Sequence, residues 1–553
     1  MPSNAEAAEI FRNIADLLDV LGEKFKPDAY RRASRSIETL TEDLGPIAAR
    51  DALGTIPGVG EAIAEKIREY LRTGRIAYYD RLQKEVPPGL VEILRLPGLG
   101  PKTARRFWVE LGIEGPTELA DAIATGRLDP VKGFGPRKIA LIRDALRAAA
   151  AAPSGGARMP IETAYPVAER IAGALRARSR SDRVEIAGSF RRRRETVGDL
   201  DVLVTSDEPE AVFDTFSHLP EVKEVRLRGG TKETCILSNG LQVDLRVVEP
   251  AAFGAALVYF TGSKDHNVHL RTIARDRGLK VNEYGVFRGE ERVAGATEAD
   301  VYAALELAYI PPELRENRGE IEAAARGPLP ALVDAAEIVG DLHVHLPPTA
   351  GPPDVDRIVG EARRRRLAYV GLVIGGTSAA GAPWSLPEAT IARLAAADGP
   401  ALRVRRAIEI GPSAPQRPLP AGGAEYAIGR PTAGSDPADL AAPDGMPVRL
   451  IAHVAGAADE RAPRGWIERA RALGAAVEVG PGAERLDSTW ARHARESGTR
   501  LSVASGLGGP PDDPTFPIAL GFARRAGALR KDVDNAAAES PPAARRSSGR
   551  RRS

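Results

Sequence analysis

Cysteine is almost missing from this chain: Cys235 is the one thiol in 553 residues. That excludes an intrachain disulfide framework and fits a reducing compartment such as the cytoplasm. No stretch approaches the roughly 18 uninterrupted apolar residues that a membrane span needs, so no membrane partner is expected. The start, MPSNAEAAEIFRN, lacks a basic segment followed by an apolar run, so no secretory signal is expected either. Net charge is only +2, so the field of the whole protein does not announce a nucleic-acid partner. Any such case must rest on local features.

What is present describes a soluble, multidomain protein. The chain is too long for one core, and roughly two to four domains are expected. Composition breaks at AAAAAPSGGA (148–157), at the polar, proline-bounded PPELRENRGEIEAAARGPLP (311–330), and near Ala536. The end, PPAARRSSGRRRS, carries five arginines and no acid, and reads as a disordered basic tail over 536–553. Residues 1–150 read as all-helical, because apolar positions in IFRNIADLLDVLG and AIAEKIREYL recur at three- and four-residue spacing. Between 155 and 310, VEIAGSF, DLDVLVTS, LQVDLRVV and AALVYFTG read as short β-rich runs separated by helical patterns. From 335 to 530, YVGLVI, VRLIAHV, AAVEVG and RLSVAS alternate with helices, the rhythm of an α/β domain with mostly parallel strands.

Two N-terminal segments repeat one design. Ile56-Pro57-Gly58-Val59-Gly60 precedes EAIAEKIREYL, and Leu96-Pro97-Gly98-Leu99-Gly100 precedes PKTARRFWVEL. A weaker third copy is Gly133-Phe134-Gly135-Pro136-Arg137-Lys138. Glycines allow a tight turn and a close backbone approach, and the next helix points free N–H groups and its positive dipole end at an anion. One such copy is also the form of an ordinary glycine turn; two within about forty residues make the phosphate-gripping reading the better one. The pattern resembles the helix-hairpin-helix motif, which holds DNA phosphates without reading sequence. Gly58, Gly60, Gly98, Gly100, Lys102 and Lys26 are the DNA-binding candidates.

The stretch from Ala187 to Val204 carries the chemistry. Asp199 and Asp201 lie two apart on an expected strand, so their carboxylates share a face. Like charges this close repel, and a cation between them relieves the cost. Hard oxygen donors with open positions suit Mg²⁺. Asp244 follows 43 residues after Asp201, between Val243 and Leu245, as a third ligand placed to hold a second metal and accept a hydroxyl proton. Upstream, Gly188 and Ser189 supply a backbone turn with a hydroxyl, and Arg192 supplies a fork suited to phosphate oxygens. Alone, D-x-D on a strand is also the pattern of surface charge. The Gly-Ser turn ten residues before it sharpens the assignment toward two-metal phosphoryl transfer.

GSFRR…GDLDVLV, then VDLR, then Tyr259-Phe260-Thr261-Gly262-Ser263, then Asn282-Glu283-Tyr284, resembles the family X DNA polymerases over about residues 1–320. The resemblance implies a multidomain α+β fold: a helical DNA-binding and lyase-like domain (1–78), a helix-hairpin-helix subdomain (79–150), a nucleotidyltransferase palm with a mixed β-sheet (155–248) and a nascent-base-pair-binding subdomain (249–318). It makes Asp199, Asp201 and Asp244 the ligands of two Mg²⁺ ions, with Mn²⁺ as a substitute. Ser189, Arg192 and, more weakly, Arg158 become triphosphate contacts. Tyr259, Phe260 and Gly262 line the sugar of the incoming dNTP, while Asn267 and Arg271 reach the minor-groove side of the nascent pair. Arg193 departs from the family, which has glycine after the Arg-Arg pair, and is expected to be a further phosphate contact or solvated. Lys66 matches the lysine that forms a Schiff base with a 5′-deoxyribose phosphate in polymerases with lyase activity, and Lys26, Tyr30 and Arg31 match positions that hold the 5′ phosphate. A second lysine of that site is replaced by Ala62, and a solvated lysine beside Glu65 is the competing reading.

Asp341-Leu342-His343-Val344-His345 opens the last domain, and H-x-H on a strand puts two imidazoles on one face. With the α/β rhythm behind it, residues 335–530 resemble the PHP phosphoesterase domain, an α/β barrel that follows many bacterial family X polymerases. That family uses nine ligands for up to three metals. Here His343, His345, Glu409 and His453 remain, while Pro347 to Gly351, Ile374-Gly375 and Ser505-Gly506-Leu507 stand where other ligands belong. The expectation is a catalytically dead scaffold, against a reading in which four ligands still hold one Mn²⁺ or Zn²⁺ with residual exonuclease activity. The whole chain is expected to be a monomeric, nucleoid-associated, template-directed repair polymerase acting on gapped or nicked duplex DNA. Another nucleotidyltransferase and a non-catalytic DNA-end-binding protein are the alternatives.

Overall fold

The three-and-four spacing of the N-terminal apolar residues produces the helix Asn4–Leu21, with Phe11, Ile14, Leu17 and Leu18 buried along one stripe. This computed structural model describes residues 4–38, 44–73, 75–94, 99–128, 131, 134, 135, 139, 142, 143, 146, 158–178, 183–377, 383–411, 423–431, 435–440, 446–454, 461–482, 485–510 and 513–536. The chain divides into two compact units, Met1–Ala157 and Arg158–Ser553.

Every regular element among the described residues of the first unit is a helix. Helices Asn4–Leu21, Lys26–Glu38, Glu61–Thr73, Ala77–Glu85 and Pro101–Leu111 share one core. At the first hairpin Gly58 takes φ +83°, and a Cβ there would sit 2.9 Å from that of Arg32, so both conformation and space require glycine. The apolar residues of the two hairpins, Val59 and Leu99, are buried and pin the turns to the core. Gly98 and most of the third copy lie outside the described residues.

The second unit opens on a five-stranded sheet in the order Arg183–Ile186, Asp199–Thr205, Gln242–Val247, Lys232–Leu237, Val222–Arg228. The middle pair, Asp199–Thr205 with Gln242–Val247, is parallel and the others are antiparallel. Val202 and Val204 face a core completed by the helices Ile161–Arg178 and Pro209–Ser217. AALVYFTG, expected as β-rich, is instead the helix Phe253–Thr261. Six consecutive residues, Phe253 to Val258, are buried there; a continuous apolar run has neither period, so pattern does not separate buried helix from buried strand. Beyond it come the helix Lys264–Asp276 and a small antiparallel sheet of Lys280–Asn282, Gly285–Arg288 and Glu291–Ala294. The segment 311–330, expected as a polar connection, contains the helix Glu320–Arg326 and buries Arg315 completely. Its charges pair with partners far along the chain, which composition does not display.

The C-terminal part is a sheet of seven parallel strands in chain order, from Gly340–Val344 to Leu501–Val503, with Pro383–Ser385 added antiparallel to Tyr369–Thr377. Side chains bring the first and last strands together. Asn535 Nδ2 donates to the carbonyls of Gly340 (2.9 Å) and Val503 (2.8 Å), and its Oδ1 accepts from Val503 N–H. The Ser505 hydroxyl donates to Asp341 beside them. The result is a nearly closed parallel barrel. Ala536, where the tail was expected to begin, is buried in the short helix Asp534–Ala536; residues 537–553 lie outside the described set.

Candidate active site and a second histidine cluster

Parallel pairing sets Asp201 directly opposite Asp244, and the pleat places Asp199 on the same face two residues earlier. Between them Leu200 points into the core. Burial and the neighbouring Asp244 push the Asp199 carboxyl up, and burial with Asp199 and Asp244 pushes Asp201 up to about 7. Carboxylates crowded on one face in this way lower their energy by taking up cations, so the donor set of Asp199, Asp201 and Asp244 fits hard divalent ions. Lys232 and Thr234, on the neighbouring strand, donate to Asp244 at 2.6 and 2.8 Å. Neither stands out in the sequence; their signal is alternation on a strand whose antiparallel register puts Thr234 opposite Asp244.

The turn before the strand closes over these acids. Gly188 has φ +66°, and a Cβ on it would lie 3.1 Å from Asp201 Oδ2. Ala187 N–H donates to the Asp201 carbonyl at 2.7 Å, tying Ser189 and its neighbours to the aspartate strand. Arg192 donates to Glu316 at 2.9 Å and to the Thr261 carbonyl, and lies 3.2 Å from the position a Gly262 Cβ would take. Tyr259 and Phe260 pack edge to face, with Arg246 stacked on Phe260 at 4.4 Å. Asn267 donates to the Tyr259 carbonyl at 2.7 Å, and Arg271 is exposed on the same helix. Arg158 is held on Thr196, donating to its hydroxyl and carbonyl, and its charge acts on Asp199. Ala187, Arg192 and Arg246 thus tie the turn, the aspartate strands and the helix Phe253–Thr261 to one another. Arg193 is neither solvated nor in that row: its side chain packs under Gly521 and over the rings of Tyr165 and Phe190.

In the first unit, Lys66 donates to the Ala62 carbonyl at 2.9 Å and sits 5.0 Å over the Tyr78 ring. Tyr30 is buried in a stack with Phe11 and Tyr78. Arg31 pairs with Asp16 and Asp19, and Lys26 with Glu23 at 3.4 Å. Lys102 is exposed one residue into the helix Pro101–Leu111, behind Gly100; Gly60 holds the equivalent place before Glu61–Thr73.

The barrel brings His343, His345, Glu409 and His453 together, with ligand atoms all within 4.8 Å of one another. Among the described residues this set meets that spacing and the three aspartates do not. The reason is charge: carboxylates repel each other, whereas imidazoles gather on a carboxylate. Glu409 Oε1 lies 3.3 Å from His343 Nε2, 3.0 Å from His345 Nε2 and 3.2 Å from His453 Nε2. Those are close to the edges, about 3.3 Å, of a tetrahedron around a metal–nitrogen bond of about 2.0–2.1 Å. Glu478, which no sequence motif marks, holds His343 Nδ1 at 3.0 Å, which orients its ring. Arg430 and Arg485 sit on the outer oxygens of Glu409 and Glu478, each at 3.0 Å. At the other expected ligand places the structure has the apolar Ile374 and Gly375, and Ser505 is spent on Asp341. The residues present thus fit one cation and do not fit three.

Comparison with known proteins agrees with the order of these modules. Residues 2–76 match a helix-hairpin-helix domain, 90–148 a SAM-like helix-hairpin-helix tandem, 158–245 the DNA polymerase beta palm and 256–316 the DNA polymerase beta thumb. The chain is 36% identical over 341 residues to the DNA polymerase/3′-5′ exonuclease PolX of Bacillus subtilis (strain 168), covering 61% of this chain and 58% of that protein. It is 27% identical over 355 residues to DNA polymerase lambda of Rattus norvegicus, covering 57% and 58%. The chain thus spans a little under three fifths of the length of each of these relatives. With hairpins, palm and thumb in this order and the aspartate face intact, the chain is similar over about its first three fifths to the bacterial-type family X DNA polymerases.

Proposed function

We propose that the chain is a template-directed DNA polymerase that fills short gaps during repair, moving a nucleotidyl group from a dNTP to a primer 3′-hydroxyl. The observation that carries this reading is the placement of Asp199, Asp201 and Asp244 on one face, with Asp201 and Asp244 in register on adjacent parallel strands. Asp199 and Asp201 would hold the cation on the triphosphate side, and Asp244, steadied by Lys232 and Thr234, receives the proton of the attacking 3′-hydroxyl. The new bond joins that oxygen to the α-phosphorus, and pyrophosphate leaves. Two Mg²⁺ ions, replaceable by Mn²⁺, supply charge neutralisation and in-line orientation of the attacking and leaving oxygens. Ser189 and Arg192 bind the triphosphate, with Arg158 beside Asp199; Tyr259, Phe260 and Gly262 line the sugar, and Asn267 and Arg271 face the nascent pair. The hairpins at Gly58–Gly60 and Gly98–Gly100, with Lys102 and Lys26, grip the phosphates of gapped or nicked duplex. The chain acts as a monomer on the nucleoid, and Lys66 is the candidate for 5′-deoxyribose phosphate lysis.

Primer extension across a one-nucleotide gap with Mg²⁺ tests the reading. Wild type incorporates one nucleotide and Asp201→Ala loses incorporation; equal incorporation by both, or by neither, discards it. Borohydride trapping on a 5′-deoxyribose phosphate end tests Lys66 separately, with Lys66→Ala expected to give no adduct.

For the barrel, the donor spacing favours one structural cation over the trinuclear hydrolytic site. The name of the Bacillus subtilis relative includes a 3′-5′ exonuclease. We infer that this chain lacks that activity, because Arg430 and Arg485 already neutralise Glu409 and Glu478. Trimming of a 3′ end in Mn²⁺ that His343→Ala abolishes would overturn the inference.

A further inference from the structure

One carboxylate joins the polymerase loop to the barrel. Glu316 Oε1 accepts from Arg192 Nε at 2.9 Å and from Arg525 Nη1 at 2.7 Å, and Oε2 lies 3.6 Å from Arg194 Nη1. Arg525 comes from the barrel helix Thr515–Arg525 and is only 3% exposed. Its Nη1 also donates to the Arg192 carbonyl at 3.2 Å, and its Nε donates to Ser488 Oγ at 3.1 Å. The Ser488 hydroxyl in turn donates to Glu195, at the far end of the same loop. The barrel therefore holds the arginine loop at both ends and shares the one acid that restrains Arg192. Three guanidinium groups around a single carboxylate, its side chain only 9% exposed, leave excess positive charge that an anion at Arg192 would balance.

We propose that Arg525 is a positioning residue for nucleotide binding: by taking over Glu316, it frees the Arg192 guanidinium for the triphosphate of the incoming nucleotide. The site needs a cation at Glu316 in both states, because an uncompensated buried carboxylate is costly. With Arg525 present, Arg192 leaves Glu316 without stranding it. Without Arg525, Arg192 becomes the close cation that Glu316 retains, and the nucleotide competes with that pairing. The barrel thereby acts on the polymerase reaction through a single salt bridge, with no chemistry of its own. This assignment rests on the proposed contact between Arg192 and the triphosphate.

Single-nucleotide insertion into a one-nucleotide gap, with the full chain, tests it. Arg525→Ala is expected to raise KM for the dNTP about tenfold while kcat stays within about twofold. Arg525→Lys, which keeps a cation, recovers most of the loss. Adding Glu316→Gln to Arg525→Ala restores KM, because the restraint on Arg192 is gone. If Arg192→Ala raises KM but Arg525→Ala does not, the positioning role is overturned while the triphosphate contact stands. If Arg192→Ala leaves KM unchanged, the contact itself is wrong. If Arg525→Ala lowers kcat and the melting temperature and the double variant recovers neither, Arg525 is only structural and the proposal falls.

Discussion

Glu298→Gln is the substitution whose cost the structure defines best. Glu298 is buried and accepts from Arg191 through both oxygens, at 2.7 and 2.8 Å. Arg315 Nη1 reaches the same carboxylate at 2.7 Å, with its charge also over the rings of Tyr302 and Tyr309. Burial alone would raise the Glu298 carboxyl, but the two arginines outweigh it and hold the pKa at about 2. From the ordinary carboxyl value of 4.5 that shift corresponds to about 3 kcal/mol. Breaking a buried pair by removing one partner gives a similar figure, roughly 3–5 kcal/mol, since Arg315 would be left buried and poorly compensated. Because the folded pKa is depressed, this stability is fully present above about pH 4.5 and is lost as pH falls toward 2. Urea unfolding followed by circular dichroism should therefore show Glu298→Gln about 3 kcal/mol weaker at pH 7, with the gap shrinking to about half by pH 3. Arg191 anchors the Ser189–Arg192 turn through this carboxylate and Thr261, so nucleotide insertion should fall as well. A loss below about 1 kcal/mol at pH 7, or one that does not change with pH, would refute the reasoning.

Glu233 sits fully buried on the palm sheet, both oxygens lack a hydrogen-bond partner, and burial pushes its carboxyl up to about 7. Its charged form penalises the fold increasingly from about pH 4.5 to 7, so Glu233→Gln should stabilise by about 1–3 kcal/mol at pH 8 and by almost nothing at pH 4, read by urea unfolding at both pH values. A Cβ at Gly254 would lie 2.1 Å from the Thr297 carbonyl carbon, so Gly254→Ala should cost about 1–3 kcal/mol and lower the melting temperature. Zinc added to metal-stripped protein should bind at about one equivalent and raise the melting temperature, whereas His343→Ala should remove both effects without changing gap filling. More than one tightly held equivalent at the barrel would contradict the four-donor site.

The parts that were legible share a short-range signal. Asp199 and Asp201 were readable because the period of a strand is two, and His343 and His345 for the same reason. The hairpins were readable because glycine at fixed spacing has few other uses. Phe253–Thr261 was not, because a helix buried all round shows no stripe. Glu409 and His453 came through family resemblance alone; nothing local marks them, since the barrel assembles strands separated by dozens of residues. Glu316 and Arg525 stand 209 residues apart, and each looks like an ordinary surface charge until the fold buries them together. The palm was therefore open to periodicity, while the coupling between palm and barrel existed only in three dimensions.

Arg193 makes that coupling measurable. It occupies the left-handed region, φ +54°, where glycine would cost least, and a residue that keeps an arginine there must gain from its side chain. The gain is packing: its stem fills the space above Gly521 and its guanidinium lies 5.2 Å over Tyr165 and 5.3 Å over Phe190. A Cβ at Gly521 would fall 2.4 Å from Arg193 Cγ and 2.7 Å from Cδ, atoms near the backbone that have little freedom to withdraw. Gly521→Ala should thus destabilise the wild type by about 1–3 kcal/mol. Arg193→Gly alone trades relief of backbone strain against lost contact and should cost about 1 kcal/mol or less. In the double variant the overlap has no partner, so Gly521→Ala should be nearly neutral in the Arg193→Gly background. A double-mutant cycle by urea unfolding should then give a coupling of about 1 kcal/mol or more. Additive effects would mean that Arg193 does not wedge the arginine loop against the barrel, and the left-handed arginine would be left without a physical reason.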